Sequence, residues 1–172
     1  MQATFIFAAF CLACCENAFA QAKAEPTAII ELGTAAGWNA KDRVSSFGPD
    51  IAVEVTPIDN WLEVEAGVTP LFRANSTEWG TDLLFKKPWT ISKKLEFMVG
   101  GGPEWIHAKE FSTTANSVAV EAVLDFMFWP STSRKLGWFV EPAYEYSFAR
   151  GHERSVGVSA GVLIPLFPRV RR

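Results

Sequence analysis

Eight stretches of this chain alternate apolar and polar residues with a period of two, and turn-forming residues separate them. Successive side chains of a β-strand point to opposite faces, so such a stretch makes a strand with one apolar and one polar side. The stretches run about Thr27 to Trp38, Pro49 to Thr56, Trp61 to Phe72, Trp79 to Phe85, Leu95 to Ile106, Val118 to Phe128, Leu136 to Phe148 and Ser155 to Phe167. Between them fall Asn39 with Lys41, Asp42 and Arg43, then Pro57-Ile58-Asp59-Asn60, then Arg73-Ala74-Asn75-Ser76. A turn with Lys86, Lys87 and Pro88, a longer loop around Phe111 to Ser117, Trp129-Pro130-Ser131, and Arg150-Gly151-His152-Glu153-Arg154 complete the set. Gly and Pro recur too often for long helices, and β-branched and aromatic residues dominate the stretches.

The two parities carry opposite chemistry. One holds Ile30 and Leu32, then Ile51, Val53 and Val55, and continues through Leu83 and Phe85 to Val156, Val158, Val162 and Ile164. The other holds Glu31, Glu54, Glu63, Glu65, Asp82, Glu96, Glu104, Glu121, Asp125, Glu141 and Glu145, together with Gly33, Gly67, Gly80, Gly100, Gly102, Gly157 and Gly161. The tryptophans (Trp38, Trp61, Trp79, Trp89, Trp105, Trp129 and Trp138) all fall near stretch borders. Indole has an apolar body and one N–H donor, which suits the boundary between hydrocarbon and water. Stretch lengths near the roughly 9–11 residues of a tilted membrane strand, and an even count that closes without an edge, fit a transmembrane β-barrel. No apolar run reaches the roughly 18 residues that a membrane helix needs.

The N-terminus reads as a secretory signal peptide, residues 1–20, with Ala18-Phe19-Ala20 as an A-x-A cleavage site. Lipidation near Leu12-Ala13-Cys14-Cys15 is a weaker alternative. Residues 21–172 then form a single domain, and Cys11, Cys14 and Cys15 all leave with the signal. The mature part would have no thiol for a disulfide or a cysteine metal site. A formal net charge of −3 gives no reason to expect a nucleic-acid partner.

In this pattern and strand count the chain resembles the small eight-stranded outer-membrane β-barrels, of the type of the OmpA transmembrane domain and OmpX. The stretch Ser159-Ala160-Gly161-Val162-Leu163-Ile164-Pro165-Leu166-Phe167 is similar to the C-terminal signal by which such barrels are recognised for assembly, although Pro165 and the tail from Pro168 to Arg172 depart from it. Gly102-Pro103-Glu104-Trp105 and the run from Tyr144 to Gly151-His152-Glu153 look similar to uncharacterised proteobacterial envelope proteins. The resemblance implies an all-β, eight-stranded antiparallel up-and-down transmembrane barrel in a Gram-negative outer membrane. It further implies outer-membrane lipid, lipopolysaccharide and the barrel assembly machinery as partners.

The acidic face poses a problem. A closed barrel would place these carboxylates in a narrow lumen, while Lys and Arg fall in turns, loops and strand ends. Unpaired buried carboxylates are costly. Three resolutions present themselves: loop arginines such as Arg73, Arg150 and Arg154 fold inward near the mouth, water and cations fill the lumen, or the faces invert. The last would make a soluble periplasmic lipocalin-like barrel binding a small apolar ligand. With a water-filled acidic lumen a cation-selective pore would follow, although eight strands usually leave the interior filled.

The candidate chemical residues are few. His107 and His152 are the only histidines. His152, Glu153 and Ser155 suggest a third reading, an envelope-lipid-modifying enzyme resembling lipid A deacylases, but residues three apart on a strand point to opposite faces. The histidines and scattered carboxylates match no metal motif, and Gly100-Gly101-Gly102 lacks the residues of a phosphate loop. Tyr144 and Tyr146 read as interface anchors, and Arg169 to Arg172 as a solubilising end. The expectation is a non-catalytic barrel with a structural, envelope-integrity or interaction role, no cofactor and no assigned site. Both termini are expected on the periplasmic side, and outward loops near Asn39–Phe47, Arg73–Glu78, His107–Ser117 and Ala149–Arg154.

Overall fold

The computed structural model describes residues 26–149 and 152–168; the expected signal peptide, Arg150-Gly151 and the basic tail Arg169 to Arg172 lie outside the described residues. Eight antiparallel strands close into one barrel in chain order. They are β1 (Pro26–Asn39), β2 (Val44–Ile58), β3 (Leu62–Phe72), β4 (Ser76–Ser92), β5 (Leu95–Glu110), β6 (Thr113–Phe128), β7 (Gly137–Ser147) and β8 (Arg154–Pro168). The first and last strands pair from Pro26↔Pro168 to Asn39↔Ser155, so the sheet has no free edge.

The strands outrun the sequence-based bounds. The expected loop from Phe111 to Ser117 shrinks to Phe111-Ser112, because Lys109↔Thr114 and Glu110↔Thr113 continue the ladder beyond the apolar belt. The turn expected at Lys86, Lys87 and Pro88 is absent, and β4 passes through all three in register with Gly100, Val99 and Met98. Polar and proline-containing stretches stay in the ladder here because a neighbouring strand pairs with them.

The parity assignment holds, with the apolar residues outside. Leu32, Val53, Leu83, Phe85, Leu124 and Val158 face outward and are exposed. Glu31, Glu54, Glu65, Asp125 and Glu141 face inward and are buried. An inverted, lipocalin-like barrel with an apolar interior is therefore excluded as the arrangement of these faces.

Aromatic residues ring the outside at two levels. Trp61, Trp89 and Trp138 lie at the end that carries the chain termini, with Trp89 stacked on Phe97 and Trp138 on Phe128. Trp38, Trp79 and Trp105 lie toward the other end. Trp79 and Trp89 are ten positions apart on β4. At about 3.3 Å per residue and a tilt of about 40°, that spacing corresponds to a belt about 25 Å tall, which matches the apolar band of a membrane barrel.

Trp129 is the exception among the tryptophans. It was expected at the surface border, yet it is fully buried, packed with Ile29, Met98, Met127, Phe139 and Leu163 inside the barrel at the terminus-bearing end. Parity decides this: Trp129 follows Asp125 and Met127 at steps of two on the inward face, just past the end of β6 at Phe128. Trp129 N–H donates to the Lys94 carbonyl at 2.8 Å. Its indole Nε1 donates to Glu96 Oε2 at 3.0 Å, so the buried donor is satisfied. Arg134 donates to the other Glu96 oxygen at 2.9 Å and lies 5.5 Å from the indole centre. Gly137 opens β7 directly against this ring, and a Cβ placed there would lie 2.8 Å from indole Cε3. Gly137→Ala is thus expected to cost about 1–3 kcal/mol by overpacking, read as a lowered urea midpoint of the refolded barrel.

Candidate functional site: an acidic cup above a buried lysine

Inward positions sort into three layers along the barrel. The plug around Trp129 closes the end that carries the termini. Above it lies a charged layer centred on Lys86. Beyond that, a cavity of about 310 Å³ reaches up to the opposite rim. Acids dominate its wall, among them Asp50, Asp82, Glu104, Glu121 and Glu145, with Glu65 and Glu141 at its base. Gly67 and Gly80 make room here, since Asp82 and Glu104 lie across the positions their side chains would take. The plug leaves a cup with one mouth, not a through-pore.

Lys86 resolves much of the acid problem. The ammonium lies 2.5 Å from Glu65 Oε2, 2.5 Å from Glu141 Oε2, 3.1 Å from Asp125 Oδ2 and 3.8 Å from Glu54 Oε2. Its side chain is wholly buried. The expectation that the lumen acids have no strand-borne partner is therefore corrected: their cation sits in mid-strand. Gly100 stands opposite Lys86 in the ladder, and a Cβ at Gly100 would lie 2.7 Å from Lys86 Cγ. Gly100, the first of the three consecutive glycines, thus leaves the space that the lysine stem occupies.

Acids far apart in sequence converge in this layer. Carboxylate oxygens of Glu31, Glu54, Glu65 and Asp125 all lie within 4.8 Å of one another. Not all of them are engaged by Lys86: Glu31 Oε1 and Asp125 Oδ1 are buried without a hydrogen-bond partner.

Of the described arginines expected to turn inward near the mouth, Arg73 lines the cup there and none pairs with the charged layer. Arg73 pairs with Glu78 at 3.9 Å near the mouth, Arg154 is exposed, and Arg150 lies outside the described residues. The rim is closed instead by short polar links. Asn39 Nδ2 donates to Glu153 Oε2 at 3.1 Å, Lys41 pairs with Glu153 at 3.2 Å, and Ala40 N–H donates to the Arg154 carbonyl.

The histidine and serine positions do not assemble into a catalytic pair. His152 is exposed, 3.0 Å from the Tyr146 hydroxyl and stacked on that ring. Ser155 lines the cup and donates to Glu145 Oε2 at 3.0 Å. His107 meets Asn116 across the β5–β6 ladder at 2.7 Å, on the outer surface.

Solved structures decide what this barrel is similar to. Neisserial surface protein A superposes with a TM-score of 0.67 at 12% identity, over 81% of this chain and 97% of that one. The N-terminal β-barrel domain of Pseudomonas aeruginosa OprF gives 0.59 at 10% identity, over 81% and 100%. The fold is that of the small outer-membrane barrels. Ail, the attachment invasion locus protein of Yersinia pestis, gives 0.57 at 13% identity, over 80% and 97%. No protein-family model and no curated protein matches the chain.

Within this small-barrel fold, Lys86 was the residue that sequence reasoning missed. Lys86-Lys87-Pro88 has turn composition, which hid it. The available signal was parity: Lys86 follows Asp82 and Leu84 at steps of two and so shares the acidic face, and Trp89 marks the border beyond it.

Proposed function

We propose that the protein is a non-catalytic outer-membrane β-barrel with a structural, envelope-integrity or surface-interaction role. The observation that carries this reading is the exposed apolar belt, bounded by tryptophans above and below, around an acidic interior. A surface of that extent is stable in hydrocarbon and a liability in water. The likeness in fold to three outer-membrane barrels supports it. Outer-membrane lipid and lipopolysaccharide are then the immediate partners, and the barrel assembly machinery the route of insertion. The cup faces outward and the Trp129 plug faces the periplasm in the topology with periplasmic termini. The short turns at the cup end favour a compact surface over a large receptor platform.

Outer-membrane fractions run on a denaturing gel with and without boiling test this. The expected result is a band in the outer-membrane fraction that migrates differently once heated, as the closed barrel resists detergent until it is unfolded. Recovery in the soluble periplasmic fraction would overturn the reading.

A further inference from the structure

We propose that the floor of the cup is a binding site for one divalent cation of the calcium type, held by Glu31, Glu54, Glu65 and Asp125 beside Lys86. Two independent observations carry it. The first is geometric: four carboxylate oxygens, from β1, β2, β3 and β6, lie within 4.8 Å of one another. Calcium binds oxygen at about 2.3–2.6 Å, so ligands on opposite sides of the ion are about 5 Å apart. The four oxygens have the spread of a partial calcium shell before any rearrangement.

The second observation is the state of the atoms themselves. Glu31 is 1% exposed and Asp125 is 0% exposed. Glu31 Oε1 and Asp125 Oδ1 accept no hydrogen bond, and each of the two residues has a carboxylate oxygen in this cluster. Buried carboxylate oxygens without a partner are strongly disfavoured. Lys86 does not meet this need, because it engages Oδ2 of Asp125 and Oε2 of Glu65 and Glu141. Asp125 thus keeps one oxygen free of the lysine, and Glu31 makes no ion pair with it within 4 Å. Glu141 joins the same layer through Lys86, so five carboxylates share the layer with one ammonium, four of them within 4 Å of it, and a further positive charge is called for on electrostatic grounds.

Access comes from above. Glu65 and Glu141 belong to both the cup wall and the charged layer, and the acids higher in the cup attract a cation toward them. Carboxylate oxygens select hard cations such as calcium and magnesium over softer metals. Magnesium demands a tighter octahedral shell and retains its waters, so calcium suits this irregular set better.

The test is calorimetric titration of the refolded full barrel in detergent with calcium chloride, and separately with magnesium chloride. The expected result is one calcium per barrel with Kd of about 0.1–1 mM, the range of extracellular calcium modules, and weaker magnesium binding. Glu31→Gln removes a charge but preserves shape, and should weaken calcium binding at least about tenfold, a loss of about 1.4 kcal/mol. Glu110→Gln, at the exposed end of β5 outside the cup, should leave it unchanged. Lys86→Met should strengthen it, because the competing ammonium is gone; the boiled-against-unboiled gel shift shows which variants are folded. An absence of saturable calcium binding, or equal binding by folded Glu31→Gln, overturns the proposal and leaves protons as the balancing charge.

Discussion

Lys86→Met is expected to destabilise the folded barrel by about 3–5 kcal/mol, the usual cost of deleting one partner from a buried charge cluster. Methionine nearly matches the length of the lysine stem and fits the slot over Gly100, so little of the loss comes from a cavity. What remains is repulsion and poor solvation among Glu54, Glu65, Asp125 and Glu141, all of which face the ammonium within 4 Å. Urea titration of the protein in lipid vesicles reads this as a lowered midpoint. Lys87→Met is the control. Lys87 lies on the other face, donates to the Asn60 carbonyl and sits 5.8 Å from the Trp89 ring. Its loss should cost no more than about 1 kcal/mol. Equal, small effects at both positions would show that the lumen acids are balanced without Lys86.

Leu124→Arg is expected to cost about 2–4 kcal/mol in a bilayer, the penalty for a cation on the lipid face near the midplane. Leu124 lies on the outer face of β6, between Val118 toward the cup and Phe128 in the girdle beside the termini. Val118→Arg, closer to the water boundary, should cost about 0–1 kcal/mol. The gradient with depth is the informative quantity, because a soluble barrel would tolerate a surface arginine at either site. Refolding each variant into phospholipid vesicles and comparing urea midpoints measures it. A flat profile would contradict the lipid-facing belt.

The plug and the lysine layer together explain how a narrow barrel carries so many acids. Trp129, held by Glu96 and Arg134, seals one end with apolar atoms and satisfied donors. Lys86 neutralises part of the next layer. The remaining acids line the cup, where its open mouth admits water and cations. Each layer has a different answer to the same electrostatic problem.

The alternation of apolar and acidic residues was enough to give the strand count and to sort the residues onto two faces, because a period of two leaves only one way to divide side chains across a pleated sheet; which face turns outward was decided by the closed barrel. Six of the tryptophans obey the same logic, since each simply ends an outward-facing parity. Tertiary structure decided the rest. Lys86-Lys87-Pro88 has the composition of a turn and became strand because β5 was present to pair with it. Trp129 shares the inward parity of Asp125 and Met127, but its role as a plug rests on contacts from other strands: Ile29, Met98, Phe139 and Leu163 pack with it and Glu96 accepts its N–H. The meeting of Glu31, Glu54, Glu65 and Asp125 depends on barrel closure and register, which bring distant strands to one level. Parity is a local property written into neighbouring residues, whereas proximity across a lumen exists only after the first strand has met the last.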